Sequence, residues 1–179
     1  MLKVYDYSIT FAEFPDEIAL CLNISNCPCH CEGCSESYLK NDVGKEITQE
    51  FIDSLLTKYK DYGITLIGFL GGDSDHKALK EIASYIKEKY QLLIGFYSGF
   101  DSIDIDLIPV IDYYKYGRFI LPKPLDDSSK WHLKSGGPIN FPWSNQRMFK
   151  KINNNLVDIT ERFRTVPFGD LKRHIIQED

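Results

Sequence analysis

Cysteine is missing from nearly the whole chain: all five (Cys21, Cys27, Cys29, Cys31, Cys34) fall within residues 19–35 of 179. An odd count at short spacing, in a chain long enough to bury a core without staples, argues against a disulfide framework. No second pair of Cys or Cys/His follows, as a usual structural zinc site would require. His30, wedged between Cys29 and Cys31, is expected to point to solvent. Also lacking are an apolar run long enough to span a bilayer and a leader of the n-region/h-region kind. Free cysteines without an export signal fit a reducing, cytoplasmic setting. The net charge of −5 offers no basic surface for nucleic acid. Internal repeats and low-complexity tracts are absent.

What is present is core material. At 43% hydrophobic and 13% aromatic residues, the chain reads as one folded domain over residues 1–179. Its core is expected at about residues 11–150, with a C-terminal strand and tail over 151–179. Residues 3–11 alternate loosely, as an edge strand or arm would. Residues 17–24 form a nearly continuous apolar run, as in a strand buried on both faces. Cys21 lies inside it and reads as a small core filler. A helix is expected over 48–59, with Phe51, Ile52, Leu55, Leu56 and Tyr59 on one face, Thr48 as N-cap and Gly63 as stop. A second strand follows over 64–70, then an amphipathic helix carrying Leu79, Ile82, Ala83, Ile86 and Tyr90. Asp73 or Ser74 is placed to cap it. A third strand is expected over 92–97, a short segment over 103–108, and a strand over 110–116. Beyond Gly117 the periodicity fades into a Pro- and Gly-rich excursion, Asn153-Asn154-Asn155 marks a turn, and a last strand is expected over 156–163. From Leu171 the reading is a short helix or frayed tail.

Strand, helix, strand, helix, strand predicts an α/β fold with a mostly parallel sheet and flanking helices. In such sheets ligands collect at the carboxyl ends of the strands. The cysteine loop, Gly71-Gly72-Asp73, Ser98-Gly99 and Gly117-Arg118 each follow a strand candidate. With Cys27, Cys31 and Cys34 as the set, the spacing is Cys-x3-Cys-x2-Cys. Three thiolates on one short loop can hold three irons of a cubane 4Fe–4S cluster and leave the fourth iron open for chemistry. Cys29 permits another register, Cys29/Cys31/Cys34, but a one-residue gap crowds two thiolates on one cubane, which favours Cys27. A single structural zinc, or an iron–sulfur module used for assembly or redox sensing, is the competing non-enzyme reading.

Cys27-x3-Cys31-x2-Cys34 resembles the cluster motif of the radical S-adenosylmethionine (SAM) superfamily. Asn23-Ile-Ser-Asn before it and Gly33 within it resemble one branch, the anaerobic ribonucleoside-triphosphate reductase activating proteins. Many superfamily members carry an aromatic where Gly33 stands, whereas this branch commonly has glycine. Gly71-Gly72-Asp73 and Ser144-Asn145-Gln146-Arg147 extend the resemblance over residues 11–148. It implies an incomplete (β/α) radical SAM barrel in a single domain. It also implies an enzyme that cleaves SAM reductively at a 4Fe–4S cluster held by Cys27, Cys31 and Cys34. The radical would be installed on a glycine of the large anaerobic ribonucleotide reductase subunit, with a low-potential electron donor as second partner. Gly71, Gly72 and Asp73 would approach the methionyl end of SAM, where the family typically has Gly-Gly-Glu and this chain has an acid one methylene shorter. Ser98 would lie against the ribose, and Asn145, Gln146 and Arg147 against the adenine end or the partner's loop. Lys115 and Arg118 are candidates to pair with a carboxylate, or surface residues in water. Activation of a different glycyl radical enzyme, or radical SAM chemistry on a small molecule, is the alternative within the enzyme class.

Overall fold

The structure, a computed structural model, describes residues 1–121, 138–140 and 144–164. The Pro- and Gly-rich excursion expected after Leu121 is therefore mostly outside the described residues, as is the terminal segment from Leu171. No described helix is long and apolar enough to cross a membrane.

Apolar runs bounded by turns make the centre of the sheet. Strands β2 (Ala19–Ile24), β4 (Leu66–Leu70), β5 (Leu93–Tyr97) and β6 (Tyr113–Tyr116) lie parallel and side by side. Both flanks are antiparallel. On one side β1 (Lys3–Thr10) pairs with β2, and the two-residue β3 (Lys45–Glu46) pairs with β1. On the other, β7 (Arg147–Ile152) pairs with β6 and β8 (Asn155–Asp158) with β7. The result is one mixed eight-stranded sheet in the order β3-β1-β2-β4-β5-β6-β7-β8. Its parallel character is confined to the four central strands.

Two crossovers are helical. Helix α1 (Gln49–Lys58) starts at Thr48, whose hydroxyl accepts from Phe51 N at 3.2 Å. After a 3-10 turn (Lys60–Tyr62) the chain stops at Gly63, in the left-handed region at φ 65°. Helix α2 (His76–Tyr90) is capped by Asp75, which accepts from Ala78 N at 3.0 Å. That corrects the cap expected at Asp73 or Ser74, and it frees Asp73 for the site. The link from β5 to β6 has no helix: residues 103 and 104 are irregular and 105–110 are turns.

The antiparallel flank differs most from expectation. Residues 147–152 were given no strand, yet they form β7, with Arg147 opposite Tyr116 and Lys150 opposite Tyr113. The asparagine turn sits between β7 and β8, with Asn153 and Asn154 at φ 49° and 64°. Positive φ at both central residues is what a two-residue hairpin with strand-like twist needs. The last strand ends at Asp158, and a 3-10 turn (Thr160–Arg162) replaces the rest of it.

Strand alternation sorts the core onto two faces. Leu20, Leu22, Ile24, Ile67, Phe69, Ile94 and Phe96 face the helices and pack with Phe51, Ile52, Leu55, Leu79, Ala83 and Ile86. On the other face the register sets Cys21, Gly68, Gly95 and Tyr113 in one row, and Asn23, Leu70, Tyr97 and Lys115 in the next row toward the carboxyl ends. Among the described residues no helix covers that face. Phe14 does, brought in by the segment between β1 and β2. A Cβ at Gly95 would lie 2.2 Å from Phe14 Cε1 and one at Gly68 2.5 Å from Phe14 Cε2, so the two glycines are the seat of the ring. Tyr97 and Tyr113 flank it at centroid distances of 5.1 and 5.7 Å. Their hydroxyls donate to the carbonyls of Glu13 and Pro15, fixing the segment that carries it.

Candidate metal centre

The row beyond Phe14 is the floor of a cleft of about 480 Å³ at the carboxyl ends of the parallel strands. Each strand delivers one wall.

From β2 comes the cysteine loop. Ser25 N donates to Lys3 O at 2.9 Å, Asn26 N to Asn41 O at 3.0 Å and Cys27 N to Leu39 O at 2.9 Å, so the loop is closed at its base. Leu39, buried, anchors the returning 3-10 turn (Ser37–Lys40). Within the loop His30 and Gly33 take positive φ, and the peptide winds back on itself between Cys31 and Cys34. Cys27, Cys31 and Cys34 are half-buried and all line the cleft. His30 is exposed and not part of it, as expected.

Cys29 lines the cleft as well, but from a deeper position. It is buried, its Sγ is 3.9 Å from Asp73 Oδ2, and a Cβ at Gly99 would lie 2.5 Å from that sulfur. A hydrogen bond from the Cys29 thiol holds the Cys27 thiol down, to about 6, despite partial burial. The same bond, with burial, pushes Cys29 up. The pair thus divides into a ready thiolate and a protonated donor, and thiolate is the form that binds metal. Burial pushes Cys31 up. Cys21, in the dry row under Phe14, is pushed up to about 12 by burial first and Glu13 second, the state of a core residue.

From β4 comes Gly71-Gly72-Asp73. Gly71 has φ +104°, its N donates to Tyr97 O at 3.0 Å, and a Cβ there would lie 3.1 Å from Ile24 O. Only glycine takes that turn and leaves backbone at the cleft wall. Gly72 does not line the cleft: a Cβ on it would meet Leu79 of α2 at 2.7 Å. Asp73 is buried and fully engaged. Ser98 Oγ donates to its Oδ1 at 2.6 Å and Gly99 N to its Oδ2 at 2.7 Å. His76 Nε2 lies 3.3 Å from Oδ1, and His76 Nδ1 lies 2.5 Å from Asp104 Oδ2. Asp73 therefore ties the ends of β4 and β5 together, and His76 extends the tie to residues 98–112. Neither His76 nor Asp104 was singled out in the sequence. The signal for His76 was its place three residues after Asp73, one helical turn on.

From β6 comes Gly117, whose N donates to Phe100 O at 2.8 Å. Its carbonyl accepts from Gln146 Nε2 at 3.2 Å. Gln146 is 8% exposed and lines the cleft. Asn145 does not line it; its Nδ2 donates to Arg118 O at 3.0 Å. Arg118 is exposed and turned out, whereas Lys115 is turned in, its Nζ 4.3 Å from the Tyr97 ring centroid. Of the residues expected at the site, Cys27, Cys31, Cys34, Gly71, Asp73, Ser98 and Gln146 meet at the cleft; Gly72 and Asn145 stand behind it.

Among the described residues no three His, Cys, Asp or Glu side chains converge on one ion position. The three cleft thiols are instead spread along one loop and face shared space, a donor set that fits a cluster with several irons. The 4Fe-4S single cluster domain family matches residues 18–137, well over half of the chain. The chain belongs to that family. No curated protein and no solved structure matches it. As a 4Fe-4S single cluster domain it is an iron–sulfur protein, and the matched span contains every cysteine and all four parallel strands.

Proposed function

We propose that the chain is a radical SAM activase, with its 4Fe–4S cluster on Cys27, Cys31 and Cys34. The single observation that carries this reading is the division among the four loop thiols of the cleft: three are half-buried, while the fourth, Cys29, is buried against Gly99. A set of three leaves one iron without a protein ligand. A cluster held by these three cysteines would supply the chemistry of reductive SAM cleavage, with one electron from a low-potential donor, for removal of a hydrogen atom from a glycine α-carbon.

The chain's own residues do the rest. Cys29 donates to Cys27 and keeps it in the binding form. Gly71 offers unshielded backbone to the amino-acid end of SAM. Asp73 acts chiefly as a positioning residue, because Ser98, Gly99 and His76 already occupy it. Ser98 and Gln146 stand where the nucleoside would lie, while Gly72 and Asn145 shape the wall from behind. Phe14 seals the floor against water. The four parallel strands with helices on one face are, in this proposal, the remnant of an incomplete (β/α) barrel whose uncovered side admits a loop. The partner is the large subunit of an anaerobic ribonucleotide reductase, and a low-potential donor delivers the electron.

Anaerobic reconstitution tests this. About four irons and four sulfides per chain, with 5′-deoxyadenosine released from SAM under dithionite, is the expected result. Cys27→Ala, Cys31→Ala and Cys34→Ala should each lose the cluster and keep the fold, while Cys21→Ala and Cys29→Ala keep both. Loss of cluster in Cys29→Ala but not in Cys27→Ala would move the ligand set by one step, and one zinc per chain with no nucleoside product would end the proposal.

A further inference from the structure

The floor of the cleft holds a charge that the reading above does not use. Among the described residues Lys115 is the one basic side chain lining the cleft, amid Glu13, Glu36, Asp73 and the thiols. Among the described residues no carboxylate is paired with it; its Nζ lies over the face of Tyr97, 4.3 Å from the ring centroid. Burial presses its ammonium down to about 8, and Glu13 is the charge that opposes this. An unpaired cation kept in a buried place is costly and is a mark of a ligand site.

A second unsatisfied group lies in the wall of the same cleft. Lys115 is opposite Met148 on β7, and Gln146, two residues before Met148, lies on the same face, about 7 Å along the strand. Gln146 Nε2 is used on Gly117 O, but its Oε1 is buried and, among the described residues, has no partner. An amide oxygen beside an ammonium disfavours a bare phosphate, which would press its own oxygens on the acceptor. It favours a ligand presenting an anion and an N–H together, and a peptide residue with a carboxylate has both.

We propose that Lys115 and Gln146 form a subsite for a carboxylate-bearing peptide segment, the carboxylate on Lys115 Nζ and a backbone N–H on Gln146 Oε1. The inference rests on the reading that this cleft admits a polypeptide loop, and it states what that loop carries beside the reacting residue.

The test uses the full, cluster-loaded chain without SAM or reductase, so its outcome and that of the radical chemistry are separable. The probe is trifluoroacetyl-Gly-Glu-Gly-amide, observed by fluorine NMR, against its Gln counterpart, with sodium acetate as competitor. The Glu peptide should bind saturably, about tenfold more tightly than the Gln peptide or acetate. Lys115→Arg should retain it, Lys115→Met should lose it, and Gln146→Leu should reduce the peptide to the level of acetate. Equal binding of the two peptides overturns the proposal, as does binding that survives Lys115→Met. Acetate binding as tightly as the Glu peptide overturns it too, since that describes an isolated anion site. If Lys115→Met fails to fold, the Glu–Gln comparison on the unaltered chain still decides.

Discussion

On its helix side β2 presents Leu20, Leu22 and Ile24 to α1 and α2; on its other side the same six-residue strand presents Ala19, Cys21 and Asn23. The helix side is filled by residues close to one another in the chain and at regular period. The other side is filled largely from outside the parallel strands, by the Phe14 ring on a connecting segment with Ile139, Ile159 and Phe163 in the same cluster, and where that ring ends the cleft begins. One side is built to be dry throughout. The other is dry for one row, Cys21-Gly68-Gly95-Tyr113, and chemically active in the next. The step between them is two residues of strand, about 7 Å.

Removing Phe14 is the strongest way to break the contrast. Phe14→Ala should cost about 3–5 kcal/mol, the range for deleting a buried aromatic. Phe69→Ala on the helix side should cost the same, since both rings are fully buried. The two should part in a second measurement. Without Phe14 the row beneath opens to the cleft, and Cys21 becomes open to a thiol reagent; in Phe69→Ala it stays protected. Labelling of Cys21 to the same extent in both variants would mean that the ring is ordinary core and not a partition.

Gly95→Ala sharpens the same point at smaller scale. Its Cβ would lie 2.2 Å from a ring that cannot move freely, so overpacking by about 1–3 kcal/mol is expected. Phe14→Leu should absorb much of this, and a double-mutant cycle reads the coupling directly. Ile94→Val, one residue back and on the helix side, should cost about 0.5–1.5 kcal/mol and show no coupling to Phe14. Coupling of similar size at both positions would remove the distinction.

These features were not equally legible in the sequence. β2, β4 and β5 announced themselves as apolar runs, and α1 by its period and its Thr48 cap, because those signals are local. The cysteine loop was legible for the same reason. β7 was not: Lys150 and Lys151 interrupt its apolar pattern, and Arg147 read as a ligand contact when it is a ladder residue opposite Tyr116. Phe14 stood in a connecting segment next to Pro15, and nothing in its neighbours tells that two glycines far along the chain leave it a seat. The direction of Lys115 was hidden by its own strand. In Tyr113-Tyr114-Lys115-Tyr116 an aromatic lies on each face, so alternation does not say which is inward, and only pairing with β5 and β7 settles it. Asp73 was placed at the site from its motif, but its threefold engagement depends on His76, Ser98 and Gly99 arriving together.

The smallest predicted effect concerns that lysine, and its sign sets it apart from the other two. Lys115 is charged at neutral pH in a place that disfavours charge, with Glu13, Tyr97 and Cys21 as its ionisable surroundings. Its folded-state value, about 8, is below the ordinary lysine value of 10.5. A lysine lowered on folding is a penalty fully present below the folded value and relieved as pH rises toward the unfolded one. Lys115→Met should therefore stabilise the chain at pH 7 by about 1 kcal/mol, allowing for water that reaches the cleft. The advantage should shrink between pH 8 and 10.5, where the native chain sheds its proton and the unfolded chain does not. Cys21 and Tyr97, both raised, act in the opposite sense at high pH but equally in both proteins, so the difference between the two melting curves isolates the lysine. A variant that is less stable at pH 7, or an advantage that is flat across that window, would show the ammonium already satisfied by the fold and leave no charge waiting for a ligand.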